Sequence, residues 1–133
     1  MIRLQLSELA AALGCPAPDH DVGVEAIVTD SRKVDYGSLF AALPGSQVDG
    51  HDFADAAVRL GAVALLVSRR LDLEVPQLVV DNVLTALGSL AALLRQRLDP
   101  VVVGITGSNG KTTVKEMVAS VLRAEGTVLC TRG

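Results

Sequence analysis

Short apolar blocks alternate along this chain with longer stretches in which apolar residues recur every three or four positions. Val22, Val24, Ala26 and Val28 mark a strand reaching Thr29. Ser38 to Leu43 and Ala62 to Val67 are almost uninterruptedly apolar, the pattern of strands buried on both faces. Pro76 opens a further strand from Gln77 to Val80, and Val101 to Ile105 and Thr127 to Cys130 read as two more. Between them lie helical patterns. Ser7 can cap a short helix through Leu13, closed by Gly14. Cys15 to His20 is a loop, and Asp52 can cap a helix that ends before Gly61. Asp81 caps a long helix to about Leu98, with apolar positions 83, 84, 87, 90, 91 and 94 on one face. A last helix runs to Glu125 and is ended by Gly126, with Val114, Met117, Val118, Val121 and Leu122 on one face. Both stripes are expected to be core, as is Phe53.

The order predicts an α/β protein, with a parallel sheet flanked by helices. Asp99-Pro100 is the best boundary, since proline disfavours helix at the residue before it. It divides the chain into a small α/β domain, 1–99, and the first strand-helix-strand of a second domain, 100–133. Two strands and one helix cannot bury both faces of a sheet. The second segment is therefore expected to be the start of a larger domain, the chain the front of a longer protein, and 101–133 to expose an unfinished sheet edge.

Composition narrows this picture. The chain has 133 residues, half of them hydrophobic, but only one Tyr and two Phe and no Trp, so the core must be Leu, Val and Ala. The net charge is −3 and no basic run is longer than a pair such as Arg69-Arg70, which argues against an electrostatic nucleic-acid binder. Cys15 and Cys130 have no metal-ligand spacing and read as ordinary thiols of a cytoplasmic protein. Gln5, Ser7 and Glu8 interrupt any signal-peptide core. Leu84 to Leu94 is too short and too amphipathic to span a bilayer. A monomer is expected.

The chemistry concentrates in Gly107-Ser108-Asn109-Gly110-Lys111-Thr112-Thr113. It follows an apolar strand pattern and opens a helix, the setting of a phosphate-binding loop. Glycines let backbone N–H groups approach phosphate oxygens, and the helix N-terminus adds partial positive charge. Lys111 would reach the outer phosphates, and the Thr112 hydroxyl would sit on Mg²⁺. The strict pattern has a glycine where this chain has Ile105, leaving the shorter Gly-x-x-Gly-Lys-Thr core. A plain Gly-rich turn between strand and helix is the competing reading; Lys and Thr directly after it favour phosphate.

Three segments together resemble the Mur ligase family. They are Thr29-Asp30-Ser31-Arg32-Lys33-Val34 with Gly37-Ser38-Leu39-Phe40-Ala41-Ala42-Leu43-Pro44-Gly45, then Asp49-Gly50-His51-Asp52-Phe53 with Ala56-Ala57 and Gly61-Ala62, and Gly104-Ile105-Thr106-Gly107 through Thr113. The family's own loop pattern is Thr-Gly-x-x-Gly-Lys-Thr, so Ile105 no longer counts against it. The resemblance implies a three-domain, ATP-dependent cytoplasmic enzyme of peptidoglycan synthesis. This chain would supply the UDP-sugar-binding domain and the start of the P-loop ATPase-type central domain. It implies ATP and Mg²⁺ at Gly107, Ser108, Asn109, Gly110, Lys111, Thr112 and Thr113, with Lys111 catalytic. Val114-Lys115-Glu116-Met117 further resembles the member that joins D-alanyl-D-alanine to UDP-N-acetylmuramoyl-tripeptide.

Contacts to the UDP-sugar are expected at Ser31, Arg32, His51 and Asn82. Each has an ordinary structural alternative. Ser31 and Arg32 could belong to a polar turn capped by Asp30, with Arg32 paired to Asp30. His51 could make only a structural hydrogen bond, and Asn82 could sit in the first turn of its helix. Three other functions compete: the sister ligase that adds the third amino acid, a non-catalytic UDP-sugar-binding module, and an unrelated P-loop GTPase or kinase. Proteins of that last class usually open with the phosphate-loop strand, which here comes after a hundred residues.

Overall fold

The structure is a computed structural model that describes residues 3–131. Residues 1, 2, 132 and 133, at the outer ends of the expected domains 1–99 and 100–133, lie outside the described residues. The chain divides into two compact units, Met1–Asp99 and Pro100–Gly133.

The first unit is built on a four-stranded sheet of β3 (Ala26–Val28), β4 (Ser38–Ala41), β5 (Ala64–Val67) and β6 (Gln77–Val79). The strands lie in chain order and every pairing is parallel, with Ile27 opposite Leu39, Phe40 opposite Leu65 and Leu66 opposite Leu78. Every position of β4 and β5 is buried, which is why β5 reads as an unbroken apolar block and β4 as one opened only by the buried Ser38. Their side chains alternate between faces. Leu39, Ala41, Leu66 and Leu78 pack under Leu6 and Leu9 of α1 (Leu6–Leu13) and under Val83 and Leu90 of α3 (Val83–Leu98). Phe40, Leu65 and Val67 pack on the other face with Ala54 and Ala57 of α2 (Ala54–Leu60). Three layers with two separate apolar contacts result.

Several local features differ from the sequence expectation. The strand expected from Val22 to Thr29 is two strands. β2 (Gly23–Val24) pairs antiparallel with β1 (Leu4–Gln5), and the chain then crosses to β3 in the parallel sheet. Glu25 sits at the crossing, its N–H donating to the Gly37 carbonyl at 2.9 Å. The pattern of alternation continues across the switch, so it does not reveal it. Ser7 does not cap α1: Glu8 accepts from the Gln5 N–H at 2.8 Å, while Ser7 donates its N–H and hydroxyl to Asp21 at 2.9 and 2.6 Å. Nor does Asp52 cap the α2 region; Asp49 caps the short 3-10 turn Gly50–Phe53 that leads into it. Phe53 is exposed rather than core.

At α3 the cap is Asn82, not Asp81: the Asn82 side chain accepts from the Thr85 N–H at 2.9 Å. The buried face runs through Val83, Ala86 and Leu90, with Leu87, Leu93 and Leu94 partly covered. Leu84 and Ala91, expected on that face, point to solvent, with Leu84 68% exposed. One step of 100° separates neighbouring residues, so adjacent leucines in an apolar-rich helix compete for the same stripe. Asp99 ends the helix with φ 42°, the one non-glycine residue at positive φ among the described residues.

The second unit contains α4 (Lys111–Leu122). The strands expected at 101–105 and 127–130 form no ladder among the described residues. An extended segment is a strand only when its N–H and C=O groups meet a neighbour, and neither segment finds one. The stripe expected as core on α4 is open: Val114, Met117, Val121 and Leu122 are all exposed and Ala119 is its buried residue.

Candidate functional site

Parallel strands carry all their carboxyl ends to one edge of the sheet, where open α/β sheets bind ligands. The segments after β3, β4, β5 and β6 put Asp30 to Arg32, Asp49 to His51, Ser68 to Arg69 and Val80 to Asn82 along that edge. Asp30 caps the 3-10 turn Ser31–Lys33 by accepting from the Arg32 N–H at 3.1 Å. It also holds the Arg32 guanidinium in a two-pronged pair, at 3.0 Å from Nε and 2.8 Å from Nη2. The Arg32 side chain and its backbone N–H hold the Asp30 carboxyl down at about 2. The turn thus carries an Asp–Arg pair with half-buried Asp30 and exposed Arg32, and half-buried Ser31 at its start. Arg32 takes the pairing with Asp30 that was its structural alternative, yet its guanidinium stays largely open to solvent.

His51 is placed differently. Its ring is buried and lies 2.6 Å from Asp49 Oδ1, while Nε2 accepts from the Ser68 N–H at 3.0 Å. Both ring nitrogens are engaged within the protein, so the structural alternative describes its bonding. Asp49 is the hub: it also accepts from the His51 N–H at 3.0 Å and from Arg69 Nη1 at 2.9 Å. The His51 backbone N–H, its ring and then Arg69 hold the Asp49 carboxyl well below the usual carboxylate range. Sequence reasoning missed Asp49, Ser68 and Arg69. The Asp-x-His spacing was the available signal for Asp49, because aspartate bonds the backbone N–H two residues on. Asn82 lines an open cavity of about 230 Å³ together with Ala12, Leu13, Val80, Asp81 and Ser89, its carbonyl oxygen turned to the helix as cap.

In the second unit, residues 107–113 run from loop into α4. Gly110 is the residue before the helix and has φ 75°, a conformation that disfavours any residue with a Cβ. The first helical bond is Val114 N–H to the Gly110 carbonyl, at 2.9 Å. The N–H groups of Lys111, Thr112 and Thr113 therefore have no acceptor within the helix. Lys111 is exposed and takes part in none of the ion pairs among the described residues. No carboxylate occurs between Gly104 and Val114. Three free backbone donors, one free ammonium and the helix dipole form a donor set that fits phosphate. For a divalent cation the loop offers the Thr112 hydroxyl, and no cluster of metal-binding side chains exists among the described residues. A cation here fits only in company with phosphate oxygens. Lys115, one turn on, donates from Nζ to the Thr131 carbonyl at 2.7 Å and so braces the unit rather than the loop.

Residues 23–95 match the catalytic domain of the Mur ligase family, and residues 105–133 match the Mur ligase middle domain. The chain belongs to the Mur ligase family. It is 48% identical, over all 133 residues, to UDP-N-acetylmuramoyl-tripeptide--D-alanyl-D-alanine ligase of Escherichia coli (strain K12), covering 29% of that protein. It is 42% identical over 129 residues to UDP-N-acetylmuramoyl-L-alanyl-D-glutamate--2,6-diaminopimelate ligase of Listeria innocua, covering 92% of this chain and 26% of the relative. Among solved structures, the D-alanyl-D-alanyl-adding ligase of Acinetobacter baumannii superposes with a TM-score of 0.84 at 35% identity, over 100% of this chain and 31% of that one. A ligase of the same type from Thermotoga maritima, in complex with ADP, is 36% identical with a TM-score of 0.66, over 83% of this chain and 26% of that one. The chain thus spans about three-tenths of the length of these Mur ligases. The α/β class and the family expected from the sequence both hold. No helix among the described residues is long and apolar enough to cross a membrane.

Proposed function

We propose that this chain supplies the uridine-nucleotide-binding unit, 1–99, and the opening of the ATP-binding unit, 100–133, of a ligase that joins D-alanyl-D-alanine to UDP-N-acetylmuramoyl-tripeptide. The observation that carries the proposal is the 48% identity to the Escherichia coli enzyme over all 133 residues, which includes the phosphate loop. In this reading the substrate's terminal carboxylate attacks the γ-phosphorus of ATP and ADP leaves. The dipeptide amine then attacks the acyl phosphate carbon and inorganic phosphate leaves as the amide forms. A carboxylate is a poor electrophile, and phosphorylation gives it a good leaving group.

Lys111 would act as the catalytic cation, offsetting charge on the transferring phosphoryl group. The N–H groups of the loop from Gly107 through Thr113, Ser108 and Asn109 included, would hold the phosphate oxygens in place. Mg²⁺, when bound with ATP, would supply further charge neutralisation, and Thr112 is the residue here that would hold it. Ser31, Arg32 and Asn82 would face the sugar nucleotide at the sheet edge, and buried His51 would act on that edge from behind. The reading carries with it a cytoplasmic location, no nucleic-acid partner and a monomer.

The 42% identity to the Listeria innocua enzyme favours a second reading, the sister ligase that adds the third amino acid. Ligation assays with the full-length protein separate the two. The first predicts turnover with the tripeptide form of the nucleotide sugar and D-alanyl-D-alanine; turnover with the dipeptide form alone would establish the second.

A further inference from the structure

We propose that Asp49, His51 and Ser68 form a latch that positions loop 44–49 at the ligand edge of the sheet, making His51 a positioning residue for the sugar nucleotide. The proposal rests on reading that edge as the uridine-nucleotide face. Its geometry does not. Ser68 offers His51 a backbone N–H, which can only donate, so Nε2 must be the unprotonated acceptor. Nδ1 then carries the proton and donates it to Asp49 Oδ1, 2.6 Å away. The chain's own atoms therefore fix one tautomer of a ring that is 1% exposed. Asp49 and His51 follow β4, whereas Ser68 and Arg69 follow β5. The latch thus ties together the carboxyl ends of the two central strands.

What it holds is a loop with little else to hold it. Residues 44–48 are all exposed. The loop closes on itself through a bridge between Pro44 and Asp49 and through the Gly50 N–H, which donates to the Leu43 carbonyl at 2.8 Å. That closure needs Gly50, because a Cβ there would lie 2.5 Å from the Leu43 oxygen. His51 is the next residue, so its ring anchors the base of the loop directly to β5. An apolar side chain would fill the same buried space with no polar demand. The imidazole instead binds one strand end with each nitrogen, and Asp49 adds Arg69 to the rim through its second oxygen.

Steady-state ligation by the full-length enzyme tests this, with UDP-N-acetylmuramoyl-tripeptide and ATP varied in turn. His51→Ala is expected to raise KM for the sugar nucleotide about tenfold, the scale of a lost hydrogen-bond network. KM for ATP and kcat should stay within about twofold. His51→Gln, whose amide oxygen can accept from the Ser68 N–H, should recover part of the loss. A folded His51→Ala enzyme with unchanged sugar-nucleotide KM, or with equal damage to both substrates, would overturn the proposal. If that variant does not fold, Asp49→Ala, which removes the acceptor of the Nδ1 proton, carries the same expectation, and ¹⁵N spectra of the wild-type imidazole decide the tautomer. Protonation at Nε2 would overturn the latch. A wild-type enzyme without turnover overturns the ligase reading instead, and the tautomer then decides the latch alone.

Discussion

The two units carry helices with comparably regular apolar stripes and bury them very differently. In the first, α3 lays Val83, Ala86 and Leu90 against a sheet whose central strands are covered on both faces. In the second, α4 has an equally regular stripe at Val114, Met117, Val121 and Leu122, and it stands open to solvent. Periodicity reports which face of a helix is suited to burial. Whether that face is covered depends on what is available to cover it, and this is a property of the surrounding chain, not of the stripe.

Side-chain truncations sharpen that contrast most strongly. Leu65→Ala removes a fully buried side chain from β5 and should cost about 2–5 kcal/mol in denaturant unfolding. Met117→Ala on the open stripe should change stability by no more than about 0.5 kcal/mol. Equal losses would mean that the α4 stripe lies in a core. The same test works within one helix: Leu90→Ala should fall in the first class and Leu84→Ala in the second.

Hydrogen exchange gives an intermediate test. Amides of Leu39 to Ala41 and Ala64 to Val67, in the two central strands of the sheet, should be the slowest of the chain. Those of 101–105 and 127–130, which have no ladder, should exchange quickly. Strong protection throughout 101–131 would contradict the open second unit.

The smallest effect concerns the sheet edge. Asp30 is held at about 2, below its ordinary 3.8, first by the Arg32 side chain. A depressed carboxyl adds stability that is complete above the unfolded value and disappears as pH falls from 3.8 toward about 2. The pair is exposed, so the gain is slight. Arg32→Ala should move the Asp30 titration upward when followed by NMR; an unmoved titration would assign the depression to another group.

Much of the first unit could be read from the sequence because its elements are locally determined. β5 is apolar at every position and β4 at every position but Ser38 since both faces are covered, and Gly14 and Gly61 end helices in the left-handed conformation. The misreadings share a different cause. Ser7, Asp52 and Asp81 are all good caps by type, but residue type does not say which of several nearby cap formers takes the position, and in each case another does. Ser7 is drawn to Asp21, Asp49 acts in place of Asp52, and Asn82 in place of Asp81. The switch of sheets at Glu25 is invisible because alternation is the same in parallel and antiparallel pairing. At the candidate sites, Gly107 to Thr113 was legible because one contiguous loop carries the whole donor set. The Asp49–His51–Ser68–Arg69 cluster was not, because half of it comes from the next strand.

The central claim is that the first unit serves the sugar nucleotide and the loop of the second serves the phosphates of ATP. Calorimetric titration of the full-length Lys111→Ala protein tests it most directly, paired with its ligation rate. The account predicts unaltered affinity for UDP-N-acetylmuramoyl-tripeptide and ligation reduced by about 10²–10³-fold or more, the loss seen when a preorganised charge stabiliser is removed. Ligation at the wild-type rate would contradict it.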